Sequence, residues 1–189
     1  MLLPPPSRRY RKSIGETFHL LRGLDWAAGN GAKVVNLSFA GPRDPLMERA
    51  LRAAEEQGIV AVAAAGNRGP RAKPAYPAAY DDVIAVTATD QRDRLYRRSN
   101  RGDYIHIAAP GVNIFSASGK KGYRFRSGTS MATAYVSGAA AILLQRKPDL
   151  TPADIATRLA ATAQDLGVEG RDRQFGHGLL NVLKAAGDD

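Results

Sequence analysis

Short apolar runs alternate with longer amphipathic stretches along most of this 189-residue chain. Apolar residues dominate 33–39, 59–65 and 83–89, a pattern typical of strands that are covered on both faces. Stretches of helical periodicity separate these runs. In chain order, the pattern predicts helix 13–29, strand 33–39, helix 45–57, strands 59–65, 83–89 and 104–108, a hairpin at 112–127, and helices 129–146, 151–163 and 177–186.

Alternation of strands with helices predicts an α/β fold with three layers, in which a mostly parallel sheet carries helices on both faces. Gly58 is placed to end the second helix, and Thr151 followed by Pro152 is placed to open the second-last one. The expected sheet core consists of Val34, Val35, Leu37, Ile59, Val60, Val62, Val83, Ile84 and Val86.

Composition limits the chain to one domain. With 44% hydrophobic residues and no internal repeats, residues 1–189 are long enough for one domain with a single core. We expect residues 1–12, a basic leader, to be disordered. The chain has no cysteine, which excludes disulfides and thiolate metal sites and leaves the compartment open. The most apolar stretch, 131–144, is too short to span a membrane, and the amino terminus lacks the apolar core of a signal peptide.

Basic residues outnumber acidic ones, giving a net charge of +9 and clusters at 8–12, 92–101 and 120–126. No nucleic-acid-binding motif accompanies the clusters, so we interpret them as a solvated basic surface rather than a nucleic-acid site. A preference for acidic peptides is a secondary hypothesis, because the third cluster directly precedes the candidate site described next.

Ser130 is the principal candidate for chemistry. It lies in the run Ser-Gly-Thr-Ser-Met-Ala-Thr at 127–133, at the predicted first turn of a buried helix. Backbone N–H groups there lack intrahelical partners and can stabilise an oxyanion. The local pattern alone equally fits a serine that merely caps a core helix.

Asn67 is the second candidate, because it follows the buried strand 59–65 in the turn Gly-Asn-Arg-Gly at 66–69. Parallel sheets build their sites at the carboxyl ends of strands. Taken alone, an asparagine beside glycines is usually a turn residue, so a functional role for Asn67 depends on the other motifs of the chain.

Those two runs, with Val-Val-Asn-Leu-Ser-Phe at 34–39 and Ala-Ala-Pro-Gly at 108–111, closely resemble the catalytic domain of the subtilisin-like serine proteases, the subtilases. The runs occur in the order of that family, and the resemblance covers residues 14–184. It implies a subtilisin-like fold and serine endopeptidase activity through an acyl-enzyme on Ser130. Asn67 would then be the side-chain donor of the oxyanion hole, and the Ser130 backbone N–H the second donor.

The resemblance also implies a substrate groove that binds an extended polypeptide along Ser38, Phe39, Ala40 and Gly41. The first specificity pocket would be walled by Phe39, Ala40, Ala64, Ala65 and Gly66, with Ala75 near its floor. No charge lines this pocket, so an apolar residue is expected before the scissile bond. Tyr76-Pro77 matches the position of a proline that is often cis in the family.

The chain lacks the Asp-Thr-Gly and His-Gly-Thr motifs that carry the other two triad residues of the family. We expect His19, His106 and His177 to be structural rather than to act as the base. Ala134 and Tyr135 depart from the usual Pro-His that follows the nucleophile, and we expect Tyr135 to alter the packing behind the site. We therefore expect no turnover from this chain alone, and a non-catalytic remnant or peptide-binding module is the alternative.

Absence of the amino-terminal strands of the fold would leave a hydrophobic sheet edge at 33–39. We therefore expect the chain to self-associate or to need a partner that supplies an amino-terminal half. No cofactor is expected. Structural calcium occurs in the family, but Asp81-Asp82 and Asp188-Asp189 are expected to be surface pairs rather than ligands.

Overall fold

The computed structural model describes residues 8–119 and 122–187, and in the first helix it describes side chains from Thr17 onward. In chain order its elements are α1 (Arg8–Gly29), β1 (Val34–Leu37), α2 (Pro45–Glu56), β2 (Val60–Ala64), β3 (Ile84–Thr89), β4 (Ile107–Pro110), β5 (Ile114–Ala117), β6 (Tyr123–Arg126), α3 (Thr129–Arg146), α4 (Pro152–Thr162) and α5 (Val182–Ala186).

Strands β1 to β4 form one parallel sheet in sequence order. Val34 pairs with Val60, Val62 pairs with Ile84, and Val86 pairs with Ile107. The carboxyl ends of all four strands therefore lie at one edge of the sheet, which we call the carboxyl edge. Strands β5 and β6 form a separate antiparallel hairpin, and helix α3 begins directly after it.

Helices cover both faces of the sheet, which confirms the three-layer α/β fold. One face carries a core that includes Val62, Val86 and Ile107 from the sheet, Val136 from α3 and Leu159 from α4. The other face carries a core in which Ala61 and Ala85 of the sheet meet Met47 and Leu51 of α2. Leucines 20, 21 and 24 of α1 pack against that second core.

Strand β1 is the edge of the sheet within the described residues, and its burial differs from that of its neighbours. The predicted core positions in the strands β2 and β3 and just before them are buried, whereas Val34, Val35 and Leu37 are only half-buried and Asn36 is exposed. The three β1 residues were predicted as fully internal. They are not, because only one side of β1 is hydrogen-bonded to a described strand.

Three predicted boundaries are wrong. The fourth strand begins at Ile107 and not at 104, since Gly102 and Ile105 close a turn through their backbones. The last helix begins at Val182, capped by Asn181, because the chain before it bridges Leu179 to Ala108. Helix α1 begins at Arg8, so residues 8–12 of the predicted leader are helical, and residues 1–7 lie outside the described part.

Candidate active site

Ser130 lies in the first turn of α3 and is joined to the end of β1 by two reciprocal hydrogen bonds. Its Oγ donates to the Ser38 carbonyl oxygen at 3.1 Å, and Ser38 Oγ donates to the Ser130 carbonyl oxygen at 3.2 Å. Ser130 is half-buried at the carboxyl edge. In the described part of the chain, its hydroxyl has no other hydrogen-bond partner, so it is held against an oxygen that cannot act as a base.

A row of polar side chains continues from Ser38 along the face of β1 that α3 covers. Asn36 Nδ2 donates to Ser38 Oγ at 2.8 Å, and Ser137 Oγ of α3 lies 3.0 Å from both Asn36 Oδ1 and the Thr133 carbonyl oxygen. This row ties β1 to α3. It fixes Ser38, and through Ser38 the position of Ser130.

Asn67 is held by the residue that precedes Ser130. Its Oδ1 accepts from the Thr129 backbone N–H at 3.0 Å and from Thr129 Oγ1 at 3.3 Å. Thr129 Oγ1 in turn accepts from the Gly66 backbone N–H at 3.2 Å. Because both donors engage Oδ1, the Asn67 Nδ2 group is left as a donor with no partner among the described residues. That is the orientation an oxyanion-hole asparagine requires.

Gly66 makes this arrangement sterically feasible. Its φ is +104°, and a Cβ built there would lie 2.5 Å from Asn100 Nδ2 and 3.3 Å from the Ala75 Cβ. Asn100 packs tightly into the turn because its Oδ1 accepts from the Arg68 backbone N–H at 2.9 Å. A side chain at position 66 would therefore push Asn100 out and disturb the turn that carries Asn67.

The predicted substrate segment follows Ser38 along the surface. Phe39 is half-buried, and Ala40 and Gly41 are exposed. Gly41 forms an antiparallel bridge with Tyr76, with backbone N···O distances of 2.7 and 3.1 Å. The Tyr76–Pro77 peptide bond is cis.

The other predicted pocket residues are internal. Ala64, Ala65 and Gly66 are buried, and Ala75 is 9% exposed. No charged residue was predicted for the pocket wall, and the assignment of a specificity pocket stays a prediction.

Two residues of this region had no role in the sequence analysis. Thr129 orients the Asn67 amide, and the Tyr104 hydroxyl donates to the Ala65 carbonyl oxygen at 2.8 Å behind the pocket wall. Burial raises the pKa of the Tyr104 phenol above its usual value. In the sequence, a threonine between a glycine and a serine fits the start of a helix as well as a residue that orients a neighbouring amide. Only the folded structure distinguishes these two roles.

The histidines all lie within the described residues, and none contacts Ser130. His106 immediately precedes β4, about 13 Å of extended chain from the carboxyl end of that strand. His177 lies beside His106, with ring centroids 5.3 Å apart. His19 is exposed on α1, which packs on the sheet face opposite to α3. The three positions agree with structural roles.

His106 is the more buried of the two neighbouring histidines, and its environment changes its pKa. Its Nε2 lies 3.0 Å from the Ala156 carbonyl oxygen of α4. Burial lowers its pKa, the Ala156 contact opposes that shift, and the positive charges of His177 and Arg171 lower it further. The pKa of His177 is also lowered, first by burial and then by Arg171.

The two residues that depart from the family pattern after Ser130 lie at the surface of α3. Ala134 is exposed and Tyr135 is 45% exposed, so the expectation that Tyr135 alters internal packing is wrong. Both residues lie on the solvent side of α3, as the 3.6-residue period requires when Ala132, Thr133 and Val136 are buried.

Neither a metal site nor a membrane span was found in the residues the structure covers. No group of three or more histidine, cysteine, aspartate or glutamate side chains there is arranged to hold a metal ion. Asp82 forms an ion pair with Arg52 at 3.4 Å, whereas Asp188 and Asp189 lie outside the described residues. No helix in the same ranges is both long and apolar enough to cross a bilayer.

Comparisons with known proteins agree with this geometry. The profile of the subtilase family matches residues 6–178. Subtilisin DY of Bacillus licheniformis is 39% identical over 171 residues, which cover 88% of this chain and 61% of that protein. The minor extracellular protease Epr of Bacillus subtilis is 39% identical over 175 residues, covering 92% of this chain and 27% of Epr.

A solved structure leads to the same family. Fervidolysin from Fervidobacterium pennivorans, a keratinolytic enzyme related to subtilisin, superimposes with a TM-score of 0.82 at 33% identity, over 89% of this chain and 28% of fervidolysin. The chain spans less than two thirds of the length of each of these relatives. With its profile match, its sequence relatives and its fold in agreement, this chain belongs to the subtilase family of serine-type peptidases.

Proposed function

We propose that this chain is the serine-bearing part of an endopeptidase catalytic domain, with Ser130 as the nucleophile. The single observation that carries the proposal is the orientation of the Asn67 side-chain amide. Thr129 holds its Oδ1 on one side, which leaves Nδ2 available as a donor beside the first turn of α3. A capping serine has no need of such a neighbour.

The proposed reaction is acyl transfer. Ser130 Oγ bonds to the carbonyl carbon of a peptide bond while its proton passes to a base, and the negative charge that develops on the carbonyl oxygen is stabilised by Asn67 Nδ2 and the Ser130 backbone N–H. The C–N bond then breaks, and the leaving amine takes up the proton. Water hydrolyses the resulting ester of Ser130 by the same steps.

A base and an orienting acid must come from outside this chain. None of its three histidines contacts Ser130, and the serine hydroxyl instead donates to Ser38. In subtilisin itself, where the magnitude was measured, loss of the triad base lowers turnover by about 10⁶-fold. We therefore expect the chain alone to have negligible turnover and to act with a partner or segment that supplies an aspartate and a histidine.

The polypeptide substrate would lie extended along Ser38, Phe39, Ala40 and Gly41. Main-chain pairing of this kind is largely blind to side chains, and the buried, uncharged residues Ala64, Ala65 and Ala75 favour an apolar residue before the scissile bond. No cofactor is required for this chemistry.

The second candidate is a peptide-binding module without catalysis, and the Ser130-to-Ser38 hydrogen bond favours it. Reaction with a fluorophosphonate separates the two. The peptidase proposal expects a single adduct, mapped by mass spectrometry to Ser130 and absent from Ser130→Ala, once imidazole is added as an external base. Casein should not be cleaved by the chain alone. No adduct at Ser130 in the folded protein under any of these conditions would favour the binding module.

A further inference from the structure

Unpaired positive charge is concentrated on the loops around Ser130 and Asn67. The described parts of segments 66–76, 90–103 and 113–126 contain ten arginines and lysines but only three aspartates and no glutamate. All three segments leave from the carboxyl ends of β2, β3 and β4. Loops that follow parallel strands in this way surround the site at the carboxyl edge.

Ion pairing neutralises little of this charge. Arg94 bonds to Asp90 at 2.8 Å, and Arg173 bonds to Asp103 at 3.1 Å. Nine of the ten basic side chains in the three segments form no ion pair with a described residue. These nine are Arg68, Arg71, Lys73, Arg92, Arg97, Arg98, Arg101, Arg124 and Arg126.

Two groups of these arginines belong to segments that adjoin Asn67. In the first group, Arg68 directly follows Asn67, and its loop is joined to the 97–101 loop by a 2.9 Å hydrogen bond from the Gly69 N–H to the Arg98 carbonyl oxygen. In the second group, Arg126 ends β6 two residues before Gly128, and a Cβ built on Gly128 would lie 3.5 Å from Asn67 Nδ2. A peptide bound at Asn67 would therefore lie near both segments.

A pocket of about 390 Å³ opens within the first group. Its lining includes Arg71, Arg101, Tyr76 and Tyr104, together with the ion pair of Arg173 and Asp103. Tyr76 also bridges Gly41 of the predicted substrate segment, so the pocket and the groove share a wall. The carboxylate of Asp103 is already engaged, which leaves the charges of Arg71 and Arg101 for a ligand.

From this arrangement we propose that the chain selects aspartate- and glutamate-rich peptide segments. One substrate carboxylate enters the pocket between Arg71 and Arg101, and others on the opposite side of the scissile bond meet Arg124 and Arg126. Arginine suits this role because its planar guanidinium binds a carboxylate through two parallel N–H bonds. The inference deepens the proposed function, since it names the substrate class of the same groove.

Binding can be tested separately from catalysis by using the Ser130→Ala variant throughout. Fluorescence anisotropy would compare labelled peptides in which alanine alternates with glutamate, glutamine or lysine. We expect the glutamate peptide to bind at least about 10-fold more tightly than the glutamine peptide at low salt, and to weaken steeply toward about 0.3 M salt as screening increases. The lysine peptide should not bind. Equal affinity for the glutamate and glutamine peptides would overturn the proposal.

Matched variants test the location. Arg71→Ala with Arg101→Ala should weaken binding of the glutamate peptide about 3- to 10-fold, as expected for two exposed charge contacts, and Arg124→Ala with Arg126→Ala should do the same. The control is Arg49→Ala with Lys147→Ala, which removes the same charge from exposed positions on α2 and after α3. An equal loss in the control, or displacement of the peptide by a single-stranded oligonucleotide of equal charge, would show general polyanion binding and contradict the proposal.

Failure of this test leaves the nucleophile proposal standing, because fluorophosphonate labelling of Ser130 does not depend on peptide charge. Conversely, charge-selective binding by a chain that never labels at Ser130 would support a binding module with the same acidic ligands. The two proposals can therefore fail independently.

Discussion

Ser38 and Ser130 exchange their hydroxyl hydrogen bonds, each donating to the carbonyl oxygen of the other at 3.1 and 3.2 Å. The two residues lie 92 positions apart in the chain, one at the end of β1 and one in the first turn of α3. This contact positions the proposed nucleophile beside the proposed substrate segment. It also occupies the serine proton with an acceptor that cannot remove it, so the same contact describes an ordered but inactive hydroxyl.

Thr129 is the residue whose substitution best separates positioning from folding. Thr129→Val removes the hydroxyl that donates to Asn67 Oδ1 and accepts from the Gly66 N–H. The buried Gly66 N–H is left unpaired, which should cost about 1–3 kcal/mol of stability. Imidazole-assisted phosphonylation of Ser130 should also slow, by up to about 10-fold, because only the Thr129 backbone N–H then orients the Asn67 amide. Thr129→Ser keeps the hydroxyl and is the control. Equal labelling rates for the folded valine and serine variants would contradict a positioning role.

Gly66 and Gly69 form a matched pair for the turn that carries Asn67. Both have positive φ, but a Cβ at Gly66 would meet Asn100 at 2.5 Å, whereas nothing lies within 4 Å of one at Gly69. Both alanine variants pay for backbone strain. Gly66→Ala should lose about 1–3 kcal/mol more, because of overpacking. Urea unfolding followed by circular dichroism gives the difference in the free energy of unfolding between the two variants. Equal losses of stability would show that the close contact with Asn100 does not destabilise the Gly66 variant.

His106 should make the fold less stable in acid. Its folded pKa lies below the usual value of 6.5 because of burial. As the pH falls below 6.5, the unfolded chain therefore binds a proton that the folded chain resists, and stability declines. Above pH 6.5 the ring is neutral in both states, and its full contribution to stability is present.

The measurement is thermal melting between about pH 7.5 and about pH 5.5. His106→Gln should flatten the pH dependence, although His177 keeps a part of it because its pKa is lowered as well. His19→Gln on the surface of α1 is the control and should melt with an unchanged profile. A steeper profile in His106→Gln than in the parent would refute the assignment.

The open side of β1 should cause self-association. The Lys33 carbonyl oxygen accepts from the Val60 N–H. In a parallel ladder, alternate residues point their backbone groups to opposite sides, so the Asn36 N–H faces away from β2. Exposed edges of this kind pair with other chains. Asn36→Pro removes that donor without breaking the ladder and should lower the apparent mass in analytical ultracentrifugation.

Asn36→Ala is the matched control for that experiment. It removes the same side-chain contacts with Ser38 and Ser137 but keeps the backbone donor, so it should associate like the parent chain. A parent chain that remains a monodisperse monomer at high concentration would count against edge pairing altogether.

Much of this fold could be predicted from sequence because its strands are nearly continuous apolar runs. Residues 60–64 and 84–89 are buried throughout, and such runs have few alternatives. The less regular parts could not be predicted in the same way. His106 alternates with Ile105 and Ile107 as a strand residue would, yet a backbone turn at Gly102 delays β4 until Ile107.

The candidate site could likewise be predicted where the signal is a local motif, but not where it depends on contacts between distant residues. Local motifs identified Ser130 and Asn67 as candidates, since each belongs to a short run of specific residues. Thr129 could not be identified as the residue that orients Asn67, because the contact joins positions 62 residues apart. Arg71 and Arg101 likewise come together at one pocket only through folding.

The most direct test of the account measures how fast a fluorophosphonate modifies Ser130 as the concentration of imidazole is raised. We expect a rate that rises with imidazole, because the proposed oxyanion site has no base beside it in this chain. We also expect a rate about 100-fold lower in Asn67→Ala, since loss of an oxyanion-hole asparagine lowers the turnover of subtilisin by about 100- to 1000-fold, and no adduct in Ser130→Ala. A rate that is independent of imidazole, or equal in Asn67→Ala, would contradict it.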